Sequence, residues 1–343
     1  MTTQRRILIL GGTSWLGGTM ARLAHESGSQ VTCLARGESG QVPDGVNLVR
    51  ADRWREGAYD GVADRDWDGV IDVNWQPELV GSALSALGDR AGHWTYVSSV
   101  SVYSDSEVGA NETAATHQPW TGTGRVSIED YAAAKVSCEA ACAASIPADR
   151  LLVARAGLIA GYGDRSDRFG YWPSRFAGVT TQDAEVLAPE RDSPVQVIDV
   201  EDLSRWLISA SELGTFGVIN AVGDPATFGD VAAECAKATA KNPALAVAQS
   251  QWLLEQGVEP WAGPESLPLW LPMPEYAGHM ARSNEVAKQA GLSLRPMART
   301  VQSALAWERE LGLNRSPRHA GLSREYEREL IEKLVGDAVD QQR

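Results

Sequence analysis

Tyr131 and Lys135 stand one helical turn apart, separated by three alanines. In a helix both side chains lie on one face. Free tyrosine titrates near pH 10 and is a poor base at neutral pH. A neighbouring ammonium favours the phenolate, which is the chemical use of a lysine four residues on. This spacing arises often by chance and gains weight only from its company. That company is the run from His93 to Tyr103, a strand ending in a hydroxyl cluster that includes Ser98, Ser99 and Ser101. A serine at the C-terminal end of a strand faces the crevice where open α/β sheets bind ligands. Ser99 there can hydrogen-bond a substrate oxygen while Tyr131 moves the proton.

A second constellation opens the chain. Gly11, Gly12, Thr13, Ser14, Trp15, Leu16 and Gly17 follow an apolar strand directly and begin a helix. Glycine lets the backbone turn tightly and approach a pyrophosphate, and a helix N-terminus offers unpaired N–H groups with positive dipole character. The bland alternative is a simple strand–helix turn, which the position at the head of an α/β chain disfavours. An acidic residue at the end of the second strand would bond adenosine ribose hydroxyls and repel a 2′-phosphate. Ala35 and Arg36 stand there instead, so NADP is the expected cofactor, with NAD as the alternative. Arg36 as a solvated surface residue is the competing reading. Asp52, just after the third strand, falls either beside the adenine or in a turn.

The elements that must position these groups alternate along the first half of the chain. Short aliphatic or β-branched runs at 6–10, 30–35, 47–50, 69–73, 93–98 and 150–155 are separated by helical patterns such as 15–27, 77–87 and 127–145. Such alternation implies a parallel sheet covered on both faces. Beyond residue 160 the rhythm breaks. Pro260, Pro264, Pro268, Pro272 and Pro274 punctuate a segment that also carries Trp261 and Trp270, which reads as a surface loop or as a lid over a substrate pocket. Residues 323–339 read as an amphipathic helix packing on the body or on a second subunit, as in a homodimer.

Composition narrows the function. The chain is 43% apolar and 22% charged, an ordinary globular balance. Its net charge of −14 disfavours nucleic acid as a partner. No apolar run approaches the ~20 residues of a membrane span, and Gly11-Gly12 interrupts the first one too early for a signal peptide. Cys33, Cys138, Cys142 and Cys235 show neither a paired framework nor a metal-ligand pattern, so plain thiols in a reducing cytoplasm and no metal are expected.

Glycine loop, serine strand and Tyr-x-x-x-Lys helix occur in an order that resembles the extended short-chain dehydrogenase/reductases, within the NAD-dependent epimerase/dehydratase group. The resemblance runs from about Arg6 to Gly312. It is carried also by the segment Arg155-Ala-Gly-Leu-Ile-Ala-Gly161, by Val197-Ile-Asp-Val-Glu-Asp202 and by Ile219-Asn220. It implies a Rossmann fold, a doubly wound parallel α/β sheet with a smaller C-terminal substrate-binding lobe. The dinucleotide domain is expected over 1–160 with return segments near 195–225, the lobe over 161–194 and 226–315, and a helical tail over 316–343. Counting back from Tyr103 in the family pattern places the catalytic hydroxyl on Ser99, and the resemblance gives Lys135 a contact to the nicotinamide ribose.

Several departures matter. Ser14 replaces the middle glycine of the fingerprint, and Asn74-Trp75 stand beside the cofactor position where the family has small residues. Val100 and Ser101 replace the Asp-Glu pair of sugar-nucleotide dehydratases, which disfavours dehydration. Ala156-Gly157-Leu158 lacks the asparagine that meets a sugar-nucleotide diphosphate. The favoured function is an NAD(P)-dependent reductase or dehydrogenase acting on a carbonyl or secondary alcohol of a small molecule. An epimerase using the same three residues is the first alternative, and a non-catalytic dinucleotide sensor the second. Twelve tryptophans against four phenylalanines suggest an apolar substrate surface, with Trp75, Tyr103, Trp172 and Trp270 as candidate contacts.

Overall fold

The computed structural model describes residues 4–181 and 183–340; the outer limits of the expected first domain and tail extend beyond them. Two compact units divide the chain. The first comprises Met1–Gly157, Val200–Gly223 and Arg282–Ser293, and the second Leu158–Asp199, Asp224–Ala281 and Leu294–Arg343. Residues 282–293 thus lie with the sheet and not with the lobe. Asn284 is the reason in part: it donates from Nδ2 to Gly223 O at 2.9 Å, tying the segment to the loop after the last sheet strand.

The first unit is built on a parallel sheet. Its strands are β1 (Arg6–Leu10), β2 (Gln30–Ala35), β3 (Asn47–Arg50), β4 (Gly69–Asp72), β5 (Trp94–Ser99), β6 (Leu151–Ala156) and a last strand, Gly217–Ala221. Across the sheet they run last strand, β6, β5, β4, β1, β2, β3. Ile7, Leu8, Ile9 and Leu10 are all fully buried, as a strand covered on both faces requires. Helix α1 (Trp15–Glu26) packs beside Val200–Leu213, and α2 (Pro77–Leu87) beside α3 (Tyr131–Ser145). The strand order reverses between β1 and β4, so a crevice opens beyond their C-terminal ends, where Gly11 and Val73 follow. Several boundaries differ from the sequence reading: α1 and β4 each end one residue earlier, and β6 is shifted by one residue. β5 is shifted by one residue to end on Ser99, and the expected helix at 127–145 starts as a 3₁₀ turn, Ile128–Asp130, so that Tyr131 opens α3.

The second unit has its own core, including Phe169, Trp172, Phe176, Leu187, Phe228 and Trp270. The stretch 267–271 of the proline-rich segment is not a surface loop, because Leu267, Leu269, Trp270 and Leu271 enter this core. Proline removes backbone donors while these apolar side chains supply the burial that holds the segment in place. The terminal helix, Arg324–Asp340, buries Leu330 and Ile331 in the same core and leaves Val335 exposed. The unit also holds a charge network. The Glu308 carboxylate, fully buried, accepts from Arg315 Nη2 and Arg318 Nη2, each at 2.9 Å. Asp167 pairs with the same two arginines and accepts from His319 N at 2.7 Å.

Candidate active site

Close packing explains the glycines of the first loop. Gly11 has φ +95°, and a Cβ there would press on Val73. At Gly12 a Cβ would collide with the Cys33 side chain, and at Gly17 with Gly11 O. Ser14 needs no such freedom: it is extended (φ −71°, ψ 165°) and caps α1, accepting from Gly17 N at 3.2 Å and donating to Gly11 O at 2.8 Å. The serine that replaces the fingerprint's middle glycine therefore closes the loop onto the helix. Thr13 is buried beside it, while Trp15 and Leu16 form the first turn of α1, whose leading N–H groups have no partner within the helix.

The turn after β4 carries the next contacts. Asp72, fully buried at the strand's end, accepts from Arg53 Nη1 at 2.9 Å, Arg53 Nη2 at 2.8 Å and Asn74 N at 3.0 Å. Burial opposes the charge on Arg53, but Asp72 and Tyr59 outweigh it and hold its pKa above the ordinary arginine value. Asn74 O accepts from Tyr96 Oη at 3.1 Å and from Lys135 Nζ at 3.2 Å. Trp75 sets its ring edge-on to Tyr131, with centroids 5.4 Å apart.

Lys135 is 3% exposed and donates also to Val97 O at 2.6 Å, with its Nζ 4.8 Å from the centre of the Tyr96 ring. Among the described residues it has no carboxylate partner. Spacing alone suggests an i,i+4 pair with Glu139. Glu139 instead binds Arg155 at 2.8 Å and accepts from Ser98 Oγ at 2.5 Å. Burial pushes the Cys138 thiol, on the same helix, up to about 11. All four cysteines are free and buried.

The two serines at the end of β5 differ. Ser98 is buried and committed to Glu139. Ser99, half-buried, caps the following 3₁₀ turn, accepting from Ser101 N and donating to Ser101 Oγ, both at 3.1 Å. Helix α3 packs against β5 and against that turn, so Ser99, Tyr131, Lys135, Asn74 and Trp75 belong to neighbouring elements at the C-terminal edge of the sheet. Arg36 also stands at this edge, exposed and paired with Glu38 at 3.1 Å. Asp52 is a turn residue that accepts from Trp54 N at 3.1 Å.

Three candidates do not offer a surface. Tyr103 is 3% exposed, lies between the guanidinium groups of Arg155 and Arg282 at 4.8 and 4.2 Å, and donates to Asn220 Oδ1 at 2.6 Å. Trp172 and Trp270 are fully buried in the core of the second unit, their indole N–H groups donating to Pro268 O and Ser250 Oγ, each at 2.9 Å. Aromatics with a polar end satisfied inside the protein are packing residues. Conversely, sequence reasoning missed Arg53, Asp72 and Glu139. The one signal for Asp72 was an acidic residue closing the apolar run Gly-Val-Ile-Asp; Arg53 had none.

The geometry fits a dinucleotide on two counts. The N-terminus of α1 follows a turn in which Gly11 and Gly12, with Gly17 in the helix, have no room for a side chain, and the buried Lys135 ammonium at the same edge of the sheet is held by carbonyl oxygens alone among the described residues. Such a group favours negative charge on a nearby phenol and can donate to ligand hydroxyls. No helix among the described residues is long and apolar enough to cross a membrane.

Neither a family model nor a curated protein matches the sequence. Solved structures match in fold. A UDP-glucuronic acid 4-epimerase from Bacillus cereus in complex with NAD is 14% identical, with a TM-score of 0.64, over 89% of this chain and 99% of that one. An epimerase from Methanothermobacter thermautotrophicus is 15% identical, with a TM-score of 0.64, over 90% and 93%. The Thermus thermophilus UDP-glucose 4-epimerase complex with NAD is 16% identical, with a TM-score of 0.61, over 89% and 99%. The strand order, the glycine turn at its switch point and these likenesses agree: the chain has a Rossmann α/β fold, shared with these epimerase structures.

Proposed function

We propose that this chain is a nicotinamide-dinucleotide-dependent oxidoreductase of the extended short-chain dehydrogenase/reductase type, interconverting a carbonyl and a secondary alcohol on a small molecule. The observation that carries the reading is Lys135, a buried cation held by two neutral carbonyls one turn from Tyr131. The loop Gly11–Gly17 and the start of α1 would hold the pyrophosphate, Lys135 the nicotinamide ribose, and Arg36 a 2′-phosphate, which makes NADP the preferred form. When bound, the dinucleotide supplies or accepts hydride. Tyr131 gives its proton to the substrate oxygen in reduction and takes it back in oxidation. Ser99 donates a hydrogen bond to that oxygen, and Lys135 stabilises the negative charge left on Tyr131.

A second reading, epimerisation, uses the same three residues with no net redox change, and it is supported by the likeness to structures described as epimerases. Calorimetric titration of NADPH and NADH into the protein tests the shared part, since binding of neither overturns both readings. With a panel of ketones and sugar derivatives, stoichiometric loss of reduced nicotinamide supports the oxidoreductase. Inversion of a centre without added reductant supports the epimerase.

A further inference from the structure

The two carboxylates best placed to neutralise Lys135 are each occupied by an arginine. Glu139 is one turn further along α3 and is bound by Arg155; Asp72 is two residues from the carbonyl that holds the lysine and is bound by Arg53 through both oxygens. Arg53 has no place near the chemistry by sequence. Its guanidinium is nonetheless locked, with Nη2 also donating to Leu79 O at 2.5 Å and Nε to Tyr59 Oη at 3.0 Å. Asn74 links the two groups: its N–H donates to Asp72 Oδ1 at 3.0 Å and its carbonyl accepts from Lys135 Nζ at 3.2 Å. Freed of Arg53, an ionised Asp72 there would attract the nearest cation that can move, and the lysine stem is flexible.

We propose that Arg53 is a positioning residue for Lys135: by holding Asp72 it leaves the lysine bound to neutral carbonyls alone, with its charge available to Tyr131 and to a ribose. This rests on the function proposed above. The other titratable or charged groups on elements packed against the lysine are Tyr96 on β5, Tyr131, Cys138, Glu139 and Cys142 on α3, Glu78 on α2, Glu129 and Asp130 in the preceding turn, and Arg155 on β6. Of these carboxylates, Glu139 is paired with Arg155 and Glu78 accepts from Gly124 N, while Glu129 and Asp130 are exposed.

The test compares Arg53→Met, the double variant Arg53→Met/Asp72→Asn and Lys135→Met with the wild type. NADPH and NADH are titrated into each by calorimetry, and the rate is followed against pH. Arg53→Met should weaken both cofactors about equally, by about tenfold, and move the limb of the pH profile set by Tyr131, which is the acidic fall of the rate in oxidation, up by about one pH unit. The double variant, which removes both charges, should recover most of both losses. A purely structural role predicts no such recovery. Wild-type binding in Arg53→Met, or a double variant as impaired as the single one, would overturn the proposal. If Arg53→Met does not fold, the double variant decides alone: near wild-type binding supports the proposal, and a tenfold loss overturns it. Lys135→Met separates the two levels, because unchanged binding there refutes the reading of the site itself.

Discussion

Each unit buries cations, and the two do so in opposite ways. In the second unit Arg315 and Arg318 alternate with Glu308 and Asp167, so every charge meets its opposite and the network is closed. In the first, Lys135 meets only carbonyl oxygens and the face of Tyr96, while the carboxylates around it are taken by arginines. A closed network holds chain segments together and has no field left to spend. An open one leaves a buried charge uncompensated, which costs stability and favours an anion or a hydroxyl-rich ligand beside it. On the function proposed above, the open cation serves chemistry and the closed network serves the fold.

Perturbing each side should therefore give opposite signatures. Tyr131→Phe, which removes only the proton carrier beside the open cation, should lower turnover by about 10²–10⁴-fold and leave cofactor affinity nearly intact. Steady-state kinetics with parallel calorimetry would show it, and a near wild-type rate would refute the proposed proton path. Glu308→Gln strips the closed network of the carboxylate shared by two arginines and should cost about 3–5 kcal/mol of stability. Denaturant unfolding measures that loss, while NADPH and NADH affinities should change less than about twofold; a large change in affinity with little loss of stability would reverse the assignment.

The serines sharpen the same contrast within one strand. Ser99→Ala should reduce turnover by about 10²-fold with little change in unfolding. Ser98→Ala should instead lower stability by about 1–3 kcal/mol, because it removes a hydrogen bond to the largely buried Glu139 carboxylate, and should spare turnover. Equal kinetic losses in the two variants would show that the catalytic hydroxyl is misassigned. The smallest effect is expected at Arg36. Half exposed and already paired with Glu38, it should give NADPH an advantage of about tenfold over NADH, an advantage that fades with salt. Arg36→Ala should abolish that preference; a wild type that binds both equally makes Arg36 a surface residue.

Much of this is legible in the sequence. Strand–helix alternation announced the parallel sheet, because a strand buried on both faces must be apolar throughout, as Ile7 to Leu10 are. The glycine loop and the Tyr131–Lys135 spacing are local patterns, set by backbone freedom and helix period. The tryptophans misled for the complementary reason. Their abundance suggested a substrate surface, yet nothing local distinguishes an indole lining a pocket from one whose N–H is satisfied inside a core, as in Trp172 and Trp270.

The sequence by itself determined the elements, their order and the residue types at the sheet's C-terminal edge, since these depend on short-range periodicity and steric need. Only the tertiary structure decided which charges meet. Lys135 and Glu139 are one turn apart on a helix, yet the carboxylate faces Arg155 from β6, and Asp72 is claimed by Arg53, 19 residues before it. Electrostatic partners are chosen by distance and burial, which long-range packing sets and sequence spacing does not.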